Sequence, residues 1–179
     1  MAVYTKLSEN NLKEFFSKYN LGKLLNYKGL QEGIENTNYF IQTDKGKFIL
    51  TIYEKRVREK DLPFFMGLMT NLFDANFPSP KPIINKNGNY ITEILEKKAA
   101  VISFLNGSSK KNLSPDNCHS VGVQTAKLHM ITKKLTVKRE NRLSINSWRK
   151  FYKSVQKDCS KIHPNLTRII EKNLDEIEN

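Results

Sequence analysis

Two rhythms of apolar residues organise this chain. Leu12, Phe15, Phe16 and Tyr19 follow Ser8 at helical spacing, and Gly22 supplies a stop, which predicts a helix capped by Ser8. The rhythm then changes to strand-like runs near 24–31, 37–43 and 47–54. The turn Asp44-Lys45-Gly46 joins the second run to the third as a tight hairpin. Asp61 is placed to cap a second helix with Pro63 in its first turn, where a missing amide costs little. Phe65, Leu68, Met69, Leu72 and Phe73 form that helix's expected apolar face. Prolines 78, 80 and 82 then force extended chain. Tyr90–Leu95 and Ala99–Leu105 read as a further hairpin closed by Glu96, Lys97 and Lys98.

Beyond Asn106-Gly107 the pattern is helical. Ser114-Pro115-Asp116 is a strong helix start, followed by Cys118, Val121, Gly122, Thr125, Leu128 and His129 at helical spacing. Thr132 to Asn146 is polar and basic and reads as a loop. Trp148, Phe151, Tyr152 and Val155 mark another amphipathic helix. Leu166, Ile169, Ile170, Leu174 and Ile177 mark the last. The expected class is α+β: a small lobe of five antiparallel strands plus helix over 1–105, then the helical start of a large lobe over 106–179.

Composition narrows the functional classes. At 179 residues the chain fits one domain or two small lobes. No apolar run approaches the roughly 18–20 residues of a membrane span, and the first residues are too polar for a signal peptide. Cys118 and Cys159 are far apart and the three histidines are scattered, so a zinc site is not expected and free thiols in a reducing cytoplasm are. Residues 1–104 carry 15 Lys+Arg against 11 Asp+Glu, and residues 105–179 carry 15 against 7. The excess comes as short pairs such as Lys133-Lys134, without interleaved aromatics, so a solvated basic face is expected in preference to a nucleic-acid platform. His129 and Cys118 on an apolar helix face read as core residues, and Trp148, Phe151 and Tyr152 as packing.

The stretch Gly29 to Phe40 carries the functional signal. Two glycines and two asparagines punctuate a turn between strands. Glycine lets backbone approach a ligand, and asparagine tolerates left-handed geometry. Alone, the turn fits a plain surface hairpin equally well. Its place at the head of strand, strand, strand, helix, strand, strand favours a phosphate-covering loop.

In that order, Glu32 to Phe40, Phe48 to Glu54 and Asp61-Leu62-Pro63-Phe64-Phe65 resemble the bacterial homoserine kinases built on the aminoglycoside-phosphotransferase and choline-kinase fold. Phe77 to Pro82 resembles that fold's approach to its fourth strand, Ala100 to Gly107 its hinge, and Val121 to His129 the first large-lobe helix. The resemblance implies transfer of the γ-phosphate of ATP, with Mg²⁺, to the hydroxyl of L-homoserine on the route to threonine, in the cytoplasm. Choline, an aminoglycoside or a sugar amine are alternative substrates, and a noncatalytic nucleotide-binding module is an alternative class. By the same resemblance Gly33, Asn36 and Asn38 fall in the nucleotide-covering loop. Ile49 and Ile102 would pack on the base, and Ser103, Phe104 and Leu105 form the hinge. Thr51 stands where most kinases carry the phosphate-touching lysine, and Phe65 stands near its glutamate partner. Both halves of that ion pair are missing together, so neither charge is stranded. Lys47 and Lys55 remain open as replacements.

The resemblance also implies a His-Gly-Asp…Asn catalytic loop and a later magnesium-binding aspartate. His119, His129 and His163 are followed by Ser120, Met130 and Pro164, and no aspartate stands two residues after any of them. The expectation is therefore a chain truncated before the catalytic loop, holding no catalytic residue or metal ligand and inactive alone.

Overall fold

The computed structural model describes residues 3–178. They form two compact units that divide between Lys138 and Arg139.

The first unit opens with α1 (Glu9–Ser17), started by a capping box in which Ser8 and Asn11 bond reciprocally. Then come β1 (Leu24–Leu30), β2 (Thr37–Thr43) and β3 (Gly46–Ile52), a 3₁₀ turn over Glu59–Asp61, and α2 (Leu62–Asp74). β4 (Pro82–Ile83), β5 (Ile91–Ile94), β6 (Lys97–Ser103) and α3 (Pro115–Thr132) complete it. Every strand pairing is antiparallel, in the order β1-β2-β3-β6, with β4 and β5 sharing the far edge of β6. The sheet therefore has the five expected strands plus the two-residue β4, in the α+β class expected.

Period-two alternation decides which face is core. Along β2, Thr37, Tyr39, Ile41 and Thr43 are buried while Asn38, Phe40 and Gln42 are half-buried. Phe48, Leu50, Ile52, Ala99 and Val101 continue the buried face, and α1 with the turn after it lays Leu12, Phe15, Phe16 and Tyr19 across it. Phe15 is 2% exposed and packs its ring within 5.5 Å of both Phe16 and Tyr19. The carbonyls at the end of α1 take cationic donors: Lys86 Nζ bonds Ser17 O at 2.7 Å and Lys45 Nζ bonds Asn20 O at 3.4 Å. Positive charge there complements the helix dipole.

Several local expectations shift. Asp61 makes no side-chain cap bond; its buried carboxylate receives Arg58 at 3.2 and 3.3 Å. The buried ridge of α2 is Leu62, Met66 and Leu72, while Phe73 is 40% exposed. A helix apolar on nearly every side gives periodicity too little contrast to choose its face. The second hairpin turns on Leu95 and Glu96 alone, with φ of 47° and 61°, so Lys97 and Lys98 already belong to β6. That geometry is the two-residue turn whose twist suits a hairpin, made here without glycine. In α3 no residue is buried among those described. Cys118 and His129 are exposed, contrary to their expected core placement. Apolar and polar residues are mixed around α3, so the spacing that suggested an apolar face does not correspond to a buried one.

The second unit is a helix pair, α4 (Ile145–Ile162) and α5 (Leu166–Glu178), closed around Tyr152, Cys159 and Leu174. Arg149 holds Asp175 at 2.7 Å and Glu178 at 2.8 Å across the pair. Of the three aromatics expected to pack, Tyr152 does, whereas Trp148 and Phe151 are 41% and 42% exposed.

Candidate functional site

The sheet face turned away from α1 carries Asn38, Ile49, Thr51 and Ile102, four of the nine predicted residues. Register places Asn38 opposite Thr51 and Thr51 opposite Ala100. Two residues along, Phe40 lies opposite Ile49 and Ile49 opposite Ile102. Alternation sends all six to the same face, in two rows roughly 7 Å apart along the strands. The first row is polar and sits at the loop end. The second is apolar and sits at the end where β6 leaves the sheet.

The polar row is joined by a hydrogen bond. Thr51 Oγ1 donates to Asn38 Oδ1 at 2.8 Å. Above it the chain from Gln31 to Asn36 crosses between β1 and β2 as an exposed loop. Gly33 has φ +104°, and a Cβ added there would find Asn38 Nδ2 nearest, at 3.9 Å. The turn is therefore glycine-dependent for its backbone angle, and the Asn38 amide lies beneath it. Asn36 points elsewhere: its Oδ1 accepts the Glu54 amide at 3.4 Å and closes the base of the loop.

The apolar row meets the exit of β6. The Phe104 ring stands edge-on to Phe40 at 5.2 Å. Sequence reasoning listed Phe104 and passed over Phe40, although alternation from Asn38 puts Phe40 on this face. Ser103 is held against the strand before it, its amide donating to Lys81 O at 2.8 Å and its hydroxyl accepting from Lys81 N at 2.8 Å. Phe104 N bonds Lys47 O at 3.1 Å, which fixes Lys47 at this end of β3, four residues and roughly 13 Å from Thr51. Leu105 follows, half exposed.

A second polar cluster braces the loop from the opposite face. Glu54 accepts Thr5 Oγ1 at 2.6 Å, Thr37 Oγ1 at 2.8 Å and Lys97 Nζ at 2.5 Å. The amides of Tyr4 and Thr5 bond Thr37 Oγ1, and Tyr4 OH bonds the carbonyl of Ile34 in the loop. Burial pushes the Glu54 carboxyl up, but donors from Lys97, Thr5 and Thr37 outweigh it and hold the group below its ordinary value. A cavity of about 390 Å³ opens beside the cluster, lined by Tyr4, Ile34, Glu35, Lys55 and Arg56 among others. Lys55 thus lies at the loop end, where Lys47 does not. No motif announced this cluster; its bonds join residues from 17 to 49 positions apart.

The described residues contain no group of three or more His, Cys, Asp and Glu side chains placed to hold a metal. Asp158 pairs with Lys161 at 2.6 Å on α4, and Asp175 pairs with Arg149. A cavity of about 600 Å³ lies apart from the two rows, lined by Lys13, Lys23, Lys45 and Lys86 among others beside the end of α1.

These rows, the glycine turn and the β6 exit fall inside residues 26–171, which match the family described as Phosphotransferase enzyme family. The chain belongs to that family. Among curated relatives, the homoserine kinase of Rhodopseudomonas palustris is 39% identical over 178 residues, 99% of this chain and 54% of its own length. That of Methylobacterium radiotolerans is 41% identical over 166 residues, 93% of this chain and 52% of its own. The chain spans about half the length of the curated relatives it matches. Among solved structures, a spectinomycin phosphotransferase in complex with ADP and spectinomycin superposes with TM-score 0.60, covering 87% of this chain and 48% of that one at 13% identity. A microcompartment-associated aminopropanol kinase gives 0.60, with 79% and 49% covered at 13% identity. These phosphotransferase structures share the fold. No described helix is long and apolar enough to cross a membrane.

Proposed function

We propose that this chain is the nucleotide-binding part of a homoserine kinase. The observation that carries the reading is the two-row face: an amide held beneath a glycine turn at one end, and an apolar shelf ending at Ser103 to Leu105 at the other. The shelf of Phe40, Ile49 and Ile102 suits the flat base of ATP, and the Gly33 loop suits its phosphates. Leu105 and Ser103 offer backbone groups to the base's edge. The solved relative holding ADP supports a nucleotide on this fold. The choice of L-homoserine rests on about 40% identity to homoserine kinases across nearly the whole chain.

In this reading residues 1–105 form the small lobe and 106–179 the helical beginning of the large one. Mg²⁺ would accompany the phosphates, but the residues present do not make a metal site, so no step is assigned to it. In this reading the bases and metal ligands of transfer would come from residues other than those of this chain. The exposed thiol of Cys118 suits a reducing cytoplasm.

A fusion tests the substrate. Joining this chain to the remaining half of the Rhodopseudomonas palustris relative should give ATP consumption that depends on L-homoserine and Mg²⁺. Choline, spectinomycin and aminopropanol should not support it, and the unfused chain should show none. Turnover of another alcohol in preference to homoserine would overturn the assignment, as would turnover by the unfused chain at the rate of the fusion.

A further inference from the structure

We propose that Asn38 and Thr51 together form a charge-neutral phosphate clamp that replaces the missing strand lysine. This rests on the nucleotide reading above and specifies how that site meets its ligand. Thr51 stands at the lysine position and cannot reach or neutralise a phosphate as lysine would. What it does instead is geometric. Its hydroxyl donates its single proton to Asn38 Oδ1 at 2.8 Å. That bond engages the acceptor side of the amide and leaves the Nδ2 donors free of Thr51.

Those donors lie beneath the glycine turn. Asn38 Nδ2 is the nearest atom to the space a Gly33 Cβ would occupy. A phosphate oxygen drawn under the turn therefore meets a fixed amide donor, with a positive-φ backbone above it. The β2–β3 ladder holds both partners, since Asn38 and Thr51 are directly opposed. The nearest lysine on this strand, Lys47, sits at the other end of the shelf. Asn38 is thus the ligand-touching group and Thr51 a positioning residue.

The chemistry differs from that of a lysine–glutamate pair. An amide donates one good bond to an anionic oxygen but adds no charge, so it recognises phosphate without trapping it. It also leaves no buried cation needing a glutamate partner, in keeping with phenylalanine at position 65.

Calorimetric titration of the 179-residue chain with ATP and with adenosine separates the outcomes. Asn38→Asp keeps the shape and swaps a donor for an anion; it should weaken ATP about 100-fold. Asn38→Ala should weaken ATP about tenfold. Thr51→Val should cost ATP affinity several-fold, and Thr51→Ser, which keeps the hydroxyl, should restore it. Adenosine, lacking phosphate, should change less than twofold throughout, which also shows that the variants are folded. Unchanged ATP affinity in Asn38→Asp would overturn the clamp and leave the nucleotide reading standing. Equal losses for ATP and adenosine would overturn it too, making the pair a support for the shelf. If the unaltered chain binds neither ligand, the nucleotide reading falls and the clamp falls with it.

Discussion

Phe15→Ala should cost about 4 kcal/mol of stability, within the range for emptying a fully buried aromatic site. Phe15 is the largest of the fully buried side chains and joins α1 to the sheet's inner face. Its ring contacts with Phe16 and Tyr19 would be lost with it. The residues around it sit on regular strands that cannot collapse inward, so the cavity stays open and its lining loses dispersion contacts. In urea, followed by circular dichroism, the midpoint should fall by roughly 2 M at a slope of about 2 kcal/mol/M. Leu25→Ala, at a site 61% exposed, serves as the contrast and should move the midpoint hardly at all. A small shift in Phe15→Ala would mean that α1 is not the cover of this core.

Glu54→Ala should be the costliest polar change, about 3 kcal/mol at neutral pH. It removes the acceptor of Thr5, Thr37 and Lys97 at once. Lys97 is 39% exposed at its side chain and can turn to water, but Thr37 is fully buried and cannot. The effect depends on pH with a defined sign. The folded carboxyl lies below its ordinary value of 4.5, so its contribution is complete above that value. It is lost as pH falls through the lower, folded value. Thermal melts of the parent and Glu54→Ala should therefore differ most at neutral pH and converge under acid conditions. A gap that widens as pH falls would contradict the network. Because Tyr4 and Asn36 tie the same cluster to the loop, the variant should also speed amide exchange at Ile34 and Glu35.

The fold was legible where one residue type has one physical use. Ser8 and Ser114 announced helix starts because a hydroxyl at that position satisfies an orphan amide, and both make the bond. The strand-like runs marked β2 and β3, but Asn38, Thr51, Ile49 and Ile102 were implied by the family resemblance, and only the register brings them onto one face. Gly33 disclosed the turn because few other residues adopt its angle. Legibility ended where several uses compete. Asp61 could cap a helix or pair with Arg58, and only the placement of Arg58 decides. Nearly every side of α2 is apolar, so its ridge depends on its neighbours. Phe40 was hidden by being one aromatic among many. Glu54 and Lys97 carry no local signal, since their meeting is made by the sheet and not by spacing. Cys118 and His129 show the same limit: helical spacing alone did not decide whether their side of α3 is buried.

Amide chemical shifts of the ¹⁵N-labelled chain during an ATP titration test the central claim most directly. A nucleotide lobe predicts that shifts concentrate at Gly33, Asn38, Thr51 and Ile102 to Leu105, on one face of the sheet and its two ends. Shifts confined to the lysine-lined cavity of Lys13, Lys23, Lys45 and Lys86, or no shifts at millimolar ATP, would contradict it.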